Sequence, residues 1–427
     1  MDLQLTDAEI AFRDELREFL AGMPAERAPL TDEAARFRES VRWQRLLAAG
    51  GWAVPGWPKR WGGRDAGPVE LMIYEQELGR VHPPRAINTI GTGWGGAALL
   101  RHGTEEQQLR YLPKIPAADE IWCQLFSEPN AGSDLASLTT RAGRIDGGYR
   151  IDGQKVWSSI AQVAGRGLLL ARTDPSAAKH EGISCFVLDM HAPGVTVRPI
   201  RQITGEQDFN EVFFDGVVVP EGDRLAGEGE GWTVAITTLL AERVGLTAGE
   251  GTLWGSGPTF ADVLDLWRRR RDAGRLPHGQ MGATLRDEIA RLHIEGQALR
   301  LTGLRLLSAV ARTDPSPGSA RPEVRGESPL VRGVDRAGSA RPEVRGESPL
   351  VMMSVRKLAS DVWGQQVHDA VWRLLGCEAM LSAESGRAVD GGAWQRAFLF
   401  ARALTIGGGT TEVQRNILAR RILGLPV

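Results

Sequence analysis

The sequence predicts a mainly α protein with a central β domain, and three observations carry that reading. Capped, helix-periodic segments fill the first 120 residues. Short apolar runs broken by turn residues fill 121–225. Helical periodicity returns at Gly231 and persists to the end. The expected domains are therefore 1–120, 121–225 and 226–427. With 427 residues, the chain is long enough for two or three domains around a large core.

In the first region, Thr6-Asp7-Ala8-Glu9 reads as a capping box, in which the Thr hydroxyl accepts from a free N–H and the Glu reaches back. Ile10, Phe12, Leu16, Phe19 and Leu20 follow at helical spacing. A second helix is expected from near Thr31 to Gly50-Gly51. Pro55, Pro58, Gly62 and Gly63 then mark a loop, and Thr104-Glu105-Glu106-Gln107 opens another capped helix ending near Leu112-Pro113.

In the middle region, 167–171, 183–188 and 211–214 read as strands. Asp146-Gly147 suits a type I′ hairpin turn. In the last region, Trp232, Ala235, Leu239 and Leu246 form one apolar stripe, and Val413, Ile417 and Ile422 form another. One segment breaks the pattern: 318–331 recurs unchanged at 338–351, rich in Gly, Pro, Ser and alternating charge. Two polar copies do not make a solenoid. They predict a disordered insert at about 313–351 that lengthens a helix–helix connection.

Composition removes several function classes. A formal net charge of −2 does not point to nucleic acid or an anionic membrane as partner. Cys123, Cys185 and Cys377 are far apart and show no metal-ligand spacing, and the histidines form no HExxH. No apolar run reaches the roughly 18 residues of a membrane span. The first residues lack the features of a signal peptide. The expected setting is a reducing cytoplasm.

Gly91-Thr92-Gly93-Trp94-Gly95-Gly96 matches GxGxxG, but its surroundings read as helical. No strand precedes it, so the dinucleotide-fold reading is rejected for tight packing or a cavity wall. More informative is Trp122–Asp134, where small and polar residues meet a turn at the start of the β domain. Its N–H groups, with the Ser127 and Ser133 hydroxyls, suit a phosphate or a flavin edge, or simply a polar loop. Gly153–Ser159 sets a Trp beside two hydroxyls; the Trp suits stacking on a planar ring or burial in the core.

These segments, with Phe209-Asn-Glu-Val-Phe-Phe-Asp215 and Gly407-Gly-Gly-Thr-Thr-Glu-Val-Gln-Arg-Asn416 in this order, resemble the acyl-CoA dehydrogenase family over nearly the whole chain except the duplicated insert. The resemblance implies an N-terminal α-helical domain, a middle β-barrel and a C-terminal four-helix bundle. It also implies FAD, held between barrel and bundle and partly by a neighbouring subunit. Gln124, Phe126, Ser127 and Ser133 fall on flavin and pyrophosphate contacts, and Ser133 also faces the CoA moiety. Trp157 lies against the flavin in this reading, with Ser158 and Ser159 beside it. Thr410 and Glu412 match cofactor contacts before the last helix, where Thr411 and Gln414 read as a further capping box. Arg286 is an inter-subunit FAD candidate in surroundings that depart from the family's pattern.

The implied reaction removes the α proton of an acyl-CoA thioester while the β hydrogen leaves as hydride to the flavin. It requires a carboxylate base, donors for the enolate-like oxygen, and a flavin flat against the Cα–Cβ bond. In many members the base stands just before the last helix; here that position is Gly408, which cannot serve. Other members carry it on an earlier bundle helix immediately before an Arg, and here that helix reads Leu239-Leu-Ala-Glu242-Arg243. Glu242 borders the apolar stripe, so it is the expected base, with Arg243, Gly408 and Gly409 beside the substrate.

The resemblance further implies a place in fatty acid β-oxidation, electron-transferring flavoprotein as acceptor, and a homotetramer or homodimer. Three alternatives stay open on sequence: a non-catalytic subunit of a hetero-oligomer, an acyl-CoA oxidase-like enzyme, and a CoA-thioester-binding protein without redox chemistry.

Overall fold

The computed structural model describes residues 4–24, 27–247, 251–254, 256–313 and 349–426. The duplicated insert, except 349–351, lies outside them. The N-terminal region contains α1 (Asp7–Ala21), α2 (Glu33–Ala49), α3 (Pro68–Arg80), α4 (Gly96–His102) and α5 (Glu105–Tyr111). The Thr6 capping box forms: the Thr6 N–H donates to Glu9 Oε2 at 2.7 Å and the Glu9 N–H to Thr6 Oγ1 at 3.3 Å. Helix α2 starts two residues later than expected because Asp32 caps it, accepting from the Ala35 N–H at 2.8 Å. Helix α3 had no signal in the sequence reading, although Pro at its first position and Glu70 in its first turn are ordinary start features.

The glycine-rich segment is a π-helical turn, Ile90–Gly95, running straight into α4. A Cβ at Gly96 would lie 2.1 Å from Trp57 Cζ2, so this glycine is there for close packing.

The middle region holds β1 (Trp122–Leu125), β2 (Arg141–Ile145), β3 (Gly148–Ser159), β4 (Arg166–Arg172), β5 (Ile183–Asp189), β6 (Val195–Ile200), β7 (Phe209–Pro220) and β8 (Arg224–Leu225). They form one sheet in the order β6-β7-β3-β2-β4-β5-β8, with β1 parallel to β4. Alternation sorts the side chains: Leu168 and Leu170 pack with Leu99, Tyr111 and Leu112 of the N-terminal region, whereas Leu169 and Ala171 pack with Tyr149, Phe186 and Val212. The β2–β3 hairpin has the expected two-residue loop, with Ile145 opposite Gly148. Its turn is not type I′, because only Gly147 takes a positive φ (73°) and a type I′ turn needs one at Asp146 as well.

The C-terminal region comprises α6 (Gly231–Thr247), a hairpin of β9 (Gly251–Leu253) and β10 (Ser256–Thr259), then α7 (Phe260–Asp272), α8 (Gly279–Thr313), α9 (Pro349–Leu375), α10 (Ala393–Phe400) and α11 (Thr411–Arg421). Helix α9 is central. It packs on α6, α8, α10, α11 and β9, and it buries Lys357 and Asp361 as an ion pair at 2.6 Å. The β9–β10 hairpin escaped the sequence reading. It docks through Thr252 Oγ1, 2.8 Å from His368 Nε2, and a Cβ at Gly364 would sit 2.4 Å from the Thr252 carbonyl oxygen. Among the described residues, no helix is long and apolar enough to cross a membrane, and no cluster of His, Cys, Asp and Glu could hold a metal. All three cysteines are free; Cys123 and Cys185 are buried, which pushes their thiols up.

Candidate active site

A cleft of about 1920 Å³ opens where the three regions meet. Its wall includes Thr92, Gly93 and Trp94 of the π-helical turn, Ser159 and Ile160 at the end of β3, Ala241 and Gly245 of α6, and Trp254 beside β9. The cavity-wall reading of the glycine-rich motif therefore holds. At the cleft, Glu206 joins the regions: Arg36 of α2 donates to its Oε1 at 3.0 Å and Arg396 of α10 at 2.8 Å. Burial alone would raise the Glu206 carboxyl; the two guanidinium groups outweigh it and hold the carboxyl down.

The two β-domain motifs are neighbours. The Val156 N–H donates to the Ser127 carbonyl at 2.9 Å. The fully buried Lys155 ammonium donates to the Phe126 carbonyl at 3.0 Å and to Glu128 Oε1 at 2.8 Å. Glu128 in turn accepts from the Thr139 and Thr140 N–H groups. Burial would raise its carboxyl, but Lys155 and these donors bring it down to about 2. Burial also lowers the Lys155 ammonium to about 8, against the pull of Glu128.

Between Lys155 and Ser158 the β3–β7 register slips by one residue, making a β-bulge. Trp157 sits in it with φ 60° and is 59% exposed, its ring edge-on to Phe209 at 6.1 Å. A large indole held outward in a left-handed conformation costs about 1–2 kcal/mol, and such strain clusters at functional sites. The next residue, Ser158, is fully buried, and its hydroxyl has no partner among the described residues. Its carbonyl is fixed by Asn210 Nδ2 at 2.9 Å. Gln124, Ser127 and Ser159 are half-buried, Phe126 is buried, and Ser133 is exposed in its loop.

The remaining predicted residues lie apart from this cluster. Gly408 and Gly409 have φ 64° and 88° and turn the chain into α11. The cap of α11 is Thr410, whose side chain accepts from the Val413 N–H at 3.2 Å. The expected Thr411–Gln414 capping box is thus one residue out of step. Gln414 instead donates back to the Gly408 and Gly409 carbonyls at 3.2 and 3.3 Å, and the buried Thr411 hydroxyl has no partner among the described residues. Glu412 is exposed. Arg286 is exposed on α8 and pairs with Asp287 at 3.3 Å. Among the described residues, no hydrogen bond or ion pair joins the 407–412 loop to the Gln124–Ser159 cluster.

Glu242 is only 9% exposed. Its neighbours Ala241 and Gly245 face the cleft, and a Cβ at Gly245 would meet Trp94 Nε1 at 3.5 Å, so α6 runs close against the π-helical turn here. The Arg243 side chain lies outside the described residues. The outward indole and the partnerless Ser158 hydroxyl beside it are features that suit a flavin: a planar face and a buried donor.

The comparisons with known proteins agree with this architecture. The acyl-CoA dehydrogenase N-terminal, middle and C-terminal domain models match residues 6–119, 123–217 and 335–423. The chain is 34% identical over 396 residues to the acyl-CoA dehydrogenase IpdE1 of Mycobacterium tuberculosis, covering 92% of this chain and 90% of that one. It is 36% identical over 408 residues to the acyl-CoA dehydrogenase FadE34 of the same organism; that match takes in 95% of this chain but only 49% of FadE34, so the chain spans about half the length of that relative. Among solved structures, the Tcur3481-Tcur3483 steroid ACAD superposes with a TM-score of 0.78 at 28% identity, over 100% of both chains. The ChsE4-ChsE5 complex from Mycobacterium tuberculosis does so with a TM-score of 0.74 at 26% identity, again over 100% of both. With all three domain models matched in order and a relative above 30% identity along most of both chains, the chain belongs to the acyl-CoA dehydrogenase family of oxidoreductases, whose members are FAD-binding flavoproteins.

Proposed function

We propose that this protein desaturates an acyl-CoA thioester between its α and β carbons, with Glu242 as the base. The observation that carries the reading is a nearly buried carboxylate on α6, flanked by residues that line the cleft, in a chain whose usual base position is a glycine. When bound, FAD supplies the acceptor for the hydride that leaves the β carbon. Glu242 takes the α proton. A carboxylate withdrawn from water is a stronger base than one at the surface, which suits a weakly acidic C–H.

Trp157, Ser158 and Ser159 are proposed to hold the isoalloxazine side of the cofactor, and Gln124, Phe126, Ser127 and Ser133 its ribityl and pyrophosphate side, with Ser133 also meeting CoA. Thr410, Glu412 and Arg286 lie apart from that cluster within one chain, which supports their acting on the cofactor of a neighbouring subunit. Arg243, Gly408 and Gly409 are proposed to border the thioester. The domains this arrangement uses are 1–120, 121–225 and 226–427. Three free cysteines suit a reducing compartment, and electron-transferring flavoprotein is the proposed acceptor.

A second reading has a specific support. Two similar solved structures bear the names of paired chains, Tcur3481-Tcur3483 and ChsE4-ChsE5. The neighbouring subunit can therefore be a second, related chain in place of a second copy of this one.

The test is an anaerobic titration of the pure flavoprotein with acyl-CoA thioesters, following the flavin absorption. Bleaching supports the desaturase, and Glu242→Gln should keep FAD while losing most of the bleaching rate. Near-normal reduction in that variant would remove Glu242 from the role. Pure protein without flavin would favour the paired-subunit reading.

A further inference from the structure

Two charged side chains on the cleft wall take no part in the reaction described above. Arg356 projects from α9 and Glu75 from α3, and both line the cleft where it runs between α3, α8 and α9. Both are half-buried. Neither side chain makes a hydrogen bond or ion pair among the described residues, and burial alone shifts each group. The guanidinium has a built seat: a Cβ on Gly303 of α8 would lie 2.8 Å from Arg356 Cζ and 2.9 Å from Nη1. With a Cβ at 303 the guanidinium, the far end of a flexible side chain, would have to shift off the α8 backbone. A partly desolvated guanidinium without an acceptor is costly, and it persists where a ligand supplies the acceptor.

We propose that Arg356, seated on Gly303, is a carboxylate-binding subsite of the acyl cleft, and that the preferred thioester carries a carboxylate on its acyl group remote from the thioester. The planar fork of Arg356 matches a carboxylate bidentately, which an ammonium would not. Glu75 is a second charged group on the wall of the same cleft, on α3. Burial pushes its carboxyl up to about 7, so near neutrality it does not set a full negative charge against a carboxylate in the cleft. The proposal names the substrate class of the site described above and rests on that site being the acyl-CoA cleft.

The experiment is isothermal titration of the holoprotein with hexanoyl- to dodecanoyl-CoA and with their ω-carboxy counterparts, which share the same CoA moiety. The carboxylated member of at least one pair should bind about tenfold tighter or more, the range of a hydrogen bond to a charged group. Arg356→Met should bring that ratio close to one, and Gly303→Ala, which displaces the guanidinium without removing it, should lower it too. Equal affinity for both members of every pair in the native protein overturns the proposal. So does an Arg356→Met variant that weakens both members by the same factor, because Arg356 would then serve CoA or the fold. If Arg356→Met does not fold, the Gly303→Ala ratio decides. Binding needs no turnover, so a carboxylate preference without flavin reduction would keep the subsite and reject the desaturase, whereas turnover without preference would do the reverse.

Discussion

Lys155 and Glu128 meet at 2.8 Å with side chains 0% and 5% exposed, and together they bolt the loop after β1 to the strand that carries Trp157. Two polar motifs, joined through residues 27 apart in the chain, are thereby held as one surface. A buried pair is weak evidence for stability in itself, but breaking it from one side leaves an uncompensated charge. Lys155→Met should cost about 3–5 kcal/mol and release FAD more readily. Adding Glu128→Gln to it should recover part of the loss, because the orphaned carboxylate is gone. Thermal unfolding of the two single variants and the double variant checks this; equal destabilisation of Lys155→Met and the double variant would reject the coupling.

Acid should loosen the C-terminal region before the sheet. His368 is buried against Thr252, and burial, with a smaller push from Arg402, holds its imidazole down at about 3. His102, close to Thr237 Oγ1 at 2.8 Å, is held at about 4 by burial and by Arg101. A histidine kept neutral in the fold protonates first in the unfolded chain, so its stability contribution falls as pH drops from about 6.5 toward these values. The depressed Glu128 carboxyl adds a loss between about 4.5 and 2. Asp361 acts in the opposite sense: burial raises its carboxyl to about 6 despite Lys357, so it favours the fold at low pH. Glu75, raised to about 7 by burial, opposes the histidines in the same window, so the His368 contribution is read between pH 6.5 and 5 as the difference in slope between the native protein and His368→Gln. His368→Gln should be less stable at pH 7.5 yet show a flatter profile; an unchanged slope would remove His368 as the cause.

The turn before α11 tolerates no side chain at Gly409. Its φ is 88°, and a Cβ there would lie 2.6 Å from Gln414 Nε2, the amide that donates to the turn's own carbonyls. Gly409→Ala should cost about 1–2 kcal/mol and weaken FAD binding more than Gly424→Ala, a terminal glycine with open space around it. Gly408, at φ 64°, carries a similar conformational penalty, so Gly408→Glu in a Glu242→Gln background should restore little stability-corrected activity. Melting temperatures and flavin retention on gel filtration test the first statement, and the rate of flavin reduction by an acyl-CoA tests the second.

Much of this was legible in the sequence, for reasons that differ by element. Helix α1 could be read because its capping box and apolar spacing agree locally, and β4 and β5 because their apolar runs are bounded by turns. Helix α3 was missed because Tyr74 buries against Trp52 and Glu77 pairs with Arg17 of α1, a tertiary fact with little local periodicity. The β9–β10 hairpin was missed because its strands are too short to alternate and are fixed by Thr252 on His368. In the site, the family motifs located the residues but not their conformation. Nothing local shows that β3 bulges at Trp157, since the extra residue exists only relative to β7. The one-residue error at the cap of α11 has the same origin: Thr410 and Thr411 are equivalent on paper, and the positive φ of Gly408 and Gly409 selects Thr410.

Trp157 offers the sharpest separation of stability from function. At φ 60° and 59% exposed, the indole gains little from burial and bears the cost of a left-handed backbone. Glycine takes that conformation freely. Trp157→Gly should therefore leave the melting temperature of the flavin-free protein unchanged or slightly raised, offsetting the lost Phe209 contact with about 1 kcal/mol of relieved strain. The same variant should release FAD faster, because the flat face beside Ser158 is gone. Trp157→Phe should keep both the strain and much of the affinity. A Trp157→Gly protein that binds FAD normally would show that the bulge serves the sheet alone, and one that loses several kcal/mol without flavin would show that the indole is a packing residue after all.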